Sequence, residues 1–184
     1  NKDLSVTQED IMYVVSLRTG ISLNKLSIEE TEKLTLLEKN LEEQIIGHKE
    51  AVSKLSKSIF RAKAGFRDSR KPLSSFLFVG PTGVGKTEIA KCLAELLFDN
   101  SDSIIRLDMS EYMEKHSVSK IIGAPPGYAG YDEGSSVCEK IRRKPYSIIL
   151  FDEVEKAHNE VLNILLQILD EGMLTDSSLR KVSF

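Results

Sequence analysis

Apolar residues recur along this chain with two periods that alternate. Leu34, Leu37, Leu41 and Ile45 fall three or four residues apart, as do Val52, Leu55 and Ile59. Each set predicts one buried stripe on an α-helix. The first stripe ends near Gly47, and the next helix is expected from about His48 to Ala64 with a Lys-rich outer face. Upstream, Thr7 to Asp10 and Ser27 to Glu30 each place a hydroxyl residue three positions before an acid. That spacing lets a side chain and a backbone amide cap each other at a helix start. Gly20 separates the two starts.

Farther on, short continuous apolar runs replace the stripes. Phe76 to Val79, Ile104 to Leu107 and Ser147 to Phe151 have the length and composition of buried strands. Between and after them, Glu88 to Phe98 and Asn159 to Glu171 return to helical spacing, the second stopping at Gly172. Gly65 to Pro72 reads as an exposed connection, and Met173 to Val182 as a hairpin. Strands alternating with helices predict an α/β fold: a parallel sheet with helices on both faces, in three layers. Three parallel strands make a thin sheet, so further strands are expected after Phe184.

Composition narrows the function more than the fold. The chain has 184 residues, 41% hydrophobic and 29% charged, with a formal net charge of -3. This is the composition of a globular protein; no apolar run has the length of a membrane span and no signal peptide is visible. The slight acidity argues against nucleic acid as a partner, which would favour a basic surface. The two cysteines, Cys92 and Cys138, stand singly inside helical segments. They read as buried structural residues in a reducing compartment.

The chemistry starts at Gly80-Pro81-Thr82-Gly83-Val84-Gly85-Lys86-Thr87, which fits GxxxxGK followed by Ser or Thr, between an apolar run and a helical segment. Glycines let the backbone turn its N–H groups around a polyphosphate, because no Cβ blocks the approach. The following helix adds its positive end. Lys86 would supply charge to the β and γ phosphates, and the Thr87 hydroxyl would ligate Mg²⁺. Downstream, Ile148 to Phe151 end in Asp152-Glu153. A buried strand presents Asp152 at its C-terminal edge, where it can hold the Mg²⁺ shell, and Glu153 could polarise the attacking water as general base. No NKxD guanine-reading string occurs; Asn24-Lys25-Leu26-Ser27 fails at its last position, which disfavours a GTPase.

Between these motifs, residues 123–134 hold four glycines, two prolines and the tyrosines Tyr128 and Tyr131. Such a segment is irregular. On residue chemistry alone, an ordinary surface loop is preferred over a contact loop. Single histidines His116 and His158 read as structural or surface groups, and Arg142-Arg143-Lys144 as positive charge complementing a helix C-terminus.

Ile46 to Val52, the phosphate loop with Glu88, Asp108-Met109-Ser110-Glu111-Tyr112, the 123–134 segment and Leu150 to His158 together resemble the second AAA+ module of Clp/heat-shock unfoldases of the ClpB and ClpC type. The similarity runs over essentially the whole chain. It implies an AAA+ P-loop NTPase large subdomain, residues 45–184, after a helical lead-in, residues 1–44, in which Thr19-Gly20-Ile21 resembles the stretch entering the module. It implies ATP and Mg²⁺ as cofactors, with nucleotide held by Ile45 and Ile46 at the adenine and by Pro81, Thr82, Gly83, Val84, Gly85, Lys86, Thr87 and Glu88. It assigns Gly127, Tyr128, Ala129 and Gly130 to a pore loop that grips substrate. The implied protein is a homo-hexameric ring motor that threads unfolded or aggregated polypeptides, alone, with a co-chaperone or with a Clp-type protease. Its implied compartment is the bacterial cytoplasm or an organelle stroma or matrix.

Three positions depart from the family pattern. His48 stands where Gln is usual, Ala129 where Val is common, and Leu179 where a Gly usually turns the hairpin; a Leu tolerates positive φ poorly. The family's sensor residues, arginine finger and small lid domain follow the position of Phe184. Weak nucleotide binding with little or no turnover is therefore expected of these 184 residues alone. A nucleotide-regulated assembly scaffold is the alternative function, and a nucleic-acid helicase a less favoured one.

Overall fold

The computed structural model describes residues 6, 7, 10, 11, 13, 14, 29–66, 68, 70–100, 102–124 and 136–184, and of 29–31 only the backbone. The first expected helix start is realised: the Asp10 carboxylate accepts from the Thr7 amide and hydroxyl at 2.9 and 2.7 Å, while the Asp10 amide donates back to Thr7 Oγ1 at 3.2 Å. The Ser27 start and the Thr19–Ile21 stretch lie outside the described residues.

Helix α1 spans Glu29–Gln44 and α2 spans Lys49–Lys63, with Gly47 at φ 90 turning the chain between them. The predicted stripes are the buried faces. Leu37, Leu41, Ile45, Val52, Leu55 and Ile59 form one core with Ile89, Cys92 and Leu93 of α3, Lys86–Phe98. Full burial of each large aliphatic side chain contributes about 1.5–3 kcal/mol, so the 3.6-residue spacing of these positions suffices to drive the three helices together.

A parallel pair forms the sheet: β1, Ile104–Asp108, runs beside β2, Ile148–Asp152, in register from Ile104 opposite Ile148 to Asp108 opposite Asp152. Parallel strands need a crossover, here supplied by 3₁₀ turns at Met109–Tyr112 and Lys115–Ser117, then α4, Val118–Ile122, and α5, Val137–Arg143. Side chains alternate across the pair. Ile105, Leu107, Ile149 and Phe151 join a second core with α4, α5 and α6, Asn159–Glu171, while Ile148 packs into the core of α1 to α3. Helices thus cover both sheet faces, as the alternation predicts.

The expected first strand differs. Phe76 to Val79 has no regular secondary structure and among the described residues joins no ladder, so the sheet has two strands where three were expected. An extended segment becomes a strand only when a neighbour accepts its N–H and C=O groups. Without that cover Leu77 and Val79 remain 76% and 87% exposed.

The hairpin forms from β3, Met173–Thr175, and β4, Lys181–Ser183. Leu179 does adopt a positive φ, 61, and its side chain is 87% exposed. The turn closes because buried Asp176 holds it: Oδ1 accepts from the amides of Ser178 and Arg180 at 2.9 and 2.8 Å, and Oδ2 from Arg180 Nε at 2.8 Å. At the end of α6, Gly172 has φ 67, and a Cβ there would lie 1.7 Å from the Arg70 carbonyl oxygen. Only glycine allows that approach. Cys92 and Cys138 are buried free thiols; burial pushes both up, Cys138 to about 11.

Candidate functional site

The phosphate-loop sequence is built as a turn delivered onto a helix. Gly83 and Gly85 take φ 79 and 95, and a Cβ on either would meet nothing within 4 Å. Backbone conformation, and not crowding, is what requires glycine at both places. Among the described residues, no amide from Thr82 to Glu88 donates to a backbone carbonyl. The row comprises the loop and the first turn of α3, where a helix leaves its N–H groups unpaired. Unpaired amides at a positive helix end form an anion site.

Lys86 folds back across this loop. Its ammonium donates to the carbonyls of Gly80 and Pro81 at 2.6 and 2.7 Å. Thr87 is half-buried and its hydroxyl has no hydrogen-bond partner among the described residues. Pro81 and Thr82 are exposed, and the Glu88 carboxylate lies 3.4 Å from Lys91, leaving its amide as its link to the loop. Ile45 and Ile46 separate: Ile45 is 8% exposed within the first core, whereas Ile46 is 91% exposed. Immediately after them His48 reaches the loop itself, its Nε2 donating to the Val84 carbonyl at 2.8 Å.

Helix α3 lies against β2, so the helix that starts at Lys86 and the strand that ends at Asp152 are neighbours. Asp152 is not a free carboxylate, for Arg106 on β1 donates to its Oδ2 at 2.7 Å. The register explains this pair, since Arg106 and Asp108 share a face and Asp108 is opposite Asp152. Asp108 turns to Ser110, whose hydroxyl and amide donate to it at 2.6 and 2.9 Å and hold its carboxyl below the usual range. Glu153 takes the left-handed conformation at φ 52, unusual for a residue with a Cβ, and pairs with Lys156 at 2.5 Å. That carboxylate raises the Lys156 ammonium above its ordinary value.

The residues present suit a magnesium nucleotide. Among the described residues no group of three or more His, Cys, Asp and Glu could hold a metal by itself. One hydroxyl and one carboxylate, Thr87 and Asp152, match an ion that brings most of its oxygen ligands on phosphates and water. A separate concavity of about 390 Å³ lies between α1 and α3, lined by Lys33, Leu37, Asn40, Gln44, Glu95, Leu96 and Asp99, and includes no phosphate-loop residue. The expected pore-loop residues, Gly127, Tyr128, Ala129 and Gly130, fall outside the described residues. His158 caps α6, its Nδ1 accepting from the Glu160 amide at 3.1 Å, and His116 pairs with Glu114 on the surface.

Comparison with known proteins decides among nucleotide-binding folds: the AAA domain (Cdc48 subfamily) matches residues 71–184. The chain belongs to the AAA family. This AAA chain is 57% identical over 182 residues to the chaperone protein ClpB of Oceanobacillus iheyensis, covering 99% of the chain and 22% of that protein. It is also 57% identical over 180 residues to the ATP-dependent Clp protease ATP-binding subunit ClpC of Staphylococcus aureus, covering 98% of the chain and 22% of that protein. It is an AAA+ module of the ClpB/ClpC type that spans about a fifth of the length of these curated relatives. No helix among its described residues is long and apolar enough to cross a membrane.

Sequence reasoning missed three contacts in this AAA+ site: His48 on Val84, Arg106 on Asp152 and Lys156 on Glu153. Arg106 did leave a signal, a lone cation inside an apolar strand two residues before Asp108. His48 left only its departure from the family residue, and Lys156 only its position three residues after Glu153.

Proposed function

We propose that this AAA+ module binds ATP and forms one side of the hydrolytic site of a hexameric ring motor that threads polypeptides through a central pore. The observation that carries the proposal is the row of unpaired amides from Thr82 to Glu88 at the head of α3, with the Lys86 ammonium folded over it. ATP with Mg²⁺ would supply a terminal phosphoryl group for transfer to water. Lys86 would exchange its two carbonyl partners for phosphate oxygens. Thr87 and Asp152 would hold the ion, and Glu153 would take a proton from the attacking water. Exposed Ile46 offers an apolar surface to the adenine, backed by Ile45 in the core.

Both acidic residues are engaged by cations of this chain, Asp152 by Arg106 and Glu153 by Lys156. Each ion pair must be given up or shared before the carboxylate can work, so these 184 residues by themselves should bind nucleotide weakly and turn it over slowly. Tyr128, between Gly127 and Ala129-Gly130, would grip the translocating chain. The names of the two relatives, a chaperone and a protease subunit, support unfolded or aggregated polypeptides as substrates and a co-chaperone or a Clp-type protease as partner. A formal net charge of -3 favours neither nucleic acid nor an anionic membrane surface as partner, and the bacterial relatives fit a cytoplasmic setting.

Two measurements test the proposal. Titration calorimetry of the 184-residue chain with Mg-ADP should show binding that Lys86→Ala weakens about 10- to 100-fold, the loss expected for charge-assisted bonds to phosphate. Equal affinity in the variant would sink the nucleotide site. In the full-length protein, Glu153→Gln should keep ATP binding and lose hydrolysis; turnover at the parent rate would remove Glu153 as the base.

A further inference from the structure

We propose that His48 is a positioning residue of the nucleotide site: its ring N–H pins the Val84 carbonyl and thereby aims the Gly85 amide into the phosphate loop. The proposal rests on the nucleotide-binding function above. His48 is the N-cap of α2, yet its side chain makes no capping bond to that helix. An N-cap side chain ordinarily satisfies one of the free amides of its own first turn. Here the ring turns away and its Nε2 lies 2.8 Å from Val84 O. A carbonyl oxygen only accepts, so Nε2 carries the proton whatever the state of Nδ1.

The consequence follows from peptide planarity. In a trans peptide the C=O and the next N–H point in opposite directions. With Val84 O held toward His48, the Gly85 N–H is directed to the other side, where it joins the unpaired amides ahead of α3. The peptide needs such a restraint, because Gly85, on its C-terminal side, stands at φ 95 with open space where a Cβ would stand. Glycine accepts either sign of φ, so the plane can flip at Gly85, and a flipped plane would turn a carbonyl oxygen toward a polyphosphate.

The same contact joins the two ends of the ligand site. His48 follows Gly47 and the Ile45-Ile46 pair, one residue anchored in the core and the other open. The ring therefore ties the segment assigned to the base to the loop assigned to the phosphates. Any side chain with an N–H at similar reach should serve. A side-chain amide qualifies, and a methyl group does not.

The test is titration of the 184-residue chain with Mg-ADP and, separately, with inorganic tripolyphosphate, for the parent, Lys86→Ala, His48→Ala and His48→Gln, with melting temperatures taken without ligand. His48→Ala should weaken both ligands about three- to tenfold, the loss expected for one well-placed hydrogen bond. His48→Gln should return both to within about twofold of the parent, since the restored contact is the same single bond. Parent-like affinity in His48→Ala overturns the proposal. So does a His48→Gln affinity as low as that of His48→Ala, because the donor would then not be the operative group. Should His48→Ala fail to fold, His48→Gln alone decides, supporting the proposal at parent affinity and overturning it at a loss of threefold or more. If the parent binds no better than Lys86→Ala, the nucleotide reading itself fails and the role of His48 falls with it; loss confined to the His48 variants leaves that reading standing.

Discussion

The two halves of this molecule treat their polar groups differently. In the half up to Phe98, the amides of the phosphate loop and the buried Ser56 Oγ have no partner among the described residues, and Leu77 and Val79 stand exposed. In the half from Ile104 onward, the acids at the end of β2 and around the hairpin are matched. Asp152 has Arg106, Glu153 has Lys156, Glu139 has Arg142, Arg143 and Arg180, and Asp176 has two amides and Arg180. The difference separates two kinds of readiness. The loop amides can take an anion with no bond to break, whereas the Lys86 ammonium must first leave two carbonyls and the carboxylates must first exchange a cation. On the proposed function, binding would be built largely into the loop amides, and catalysis would wait on rearrangement.

The largest expected effect tests the seam between the halves. Gly172→Ala would drive a methyl into the Arg70 carbonyl at 1.7 Å, on the segment that leads into the phosphate loop. Overpacking against backbone, added to a positive φ, should cost at least about 3 kcal/mol. Chemical denaturation measures it, and a loss below about 1 kcal/mol would mean that the two halves are not rigidly docked.

Asp176→Asn probes the matched half and should cost about 1–3 kcal/mol near neutral pH by weakening charge-assisted bonds. Burial pushes the Asp176 carboxyl up, but bonds from Arg180 and Ser178 outweigh it and hold the group below its ordinary value of 3.8. Because the folded value is the lower one, this stabilisation is present above about pH 4 and is lost as pH falls through the folded value. Melting temperatures from pH 5 to pH 2 should therefore fall less steeply in Asp176→Asn than in the parent. Parallel acid limbs would exclude the carboxylate as a source of acid sensitivity.

In the open half the sign reverses. Ser56→Ala removes a buried hydroxyl that has no partner among the described residues and should stabilise the protein by about 1 kcal/mol, since the desolvation cost of the group goes with it. A destabilised variant would reveal a bonded hydroxyl. Of the same size is Leu179→Gly at the hairpin tip, where relief of φ 61 outweighs the added chain entropy and should raise Tm by about 2–4 °C, or about 1 kcal/mol. An unchanged or lower Tm would show that the Asp176 network has already absorbed the strain.

Much of the architecture was legible because local patterns and burial agree. The stripes through Leu37, Leu41, Val52, Leu55 and Ile59, and the arrest of α6 at Gly172, are local signals that packing left intact. Phe76 to Val79 failed for the opposite reason: its composition is that of a strand, but a strand is a relation between two segments, and here no described segment pairs with it. The hairpin shows a third case. Leu179 argued against a turn that Asp176, three residues earlier, closes with hydrogen bonds that residue statistics at position 179 do not register.

The candidate site divides in the same way. Sequence by itself determined the phosphate loop, its glycines and the Asp152-Glu153 pair, because those contacts need residue types at fixed short spacing and the backbone supplies the rest. Only the tertiary structure decided what holds each group. Val84 follows His48 by 36 positions, and Asp152 follows Arg106 by 46; a hydrogen bond across such a gap depends on how helices and strands pack. Spacing names the donors and acids of a site. Packing determines which of them are free to bind and which are already taken.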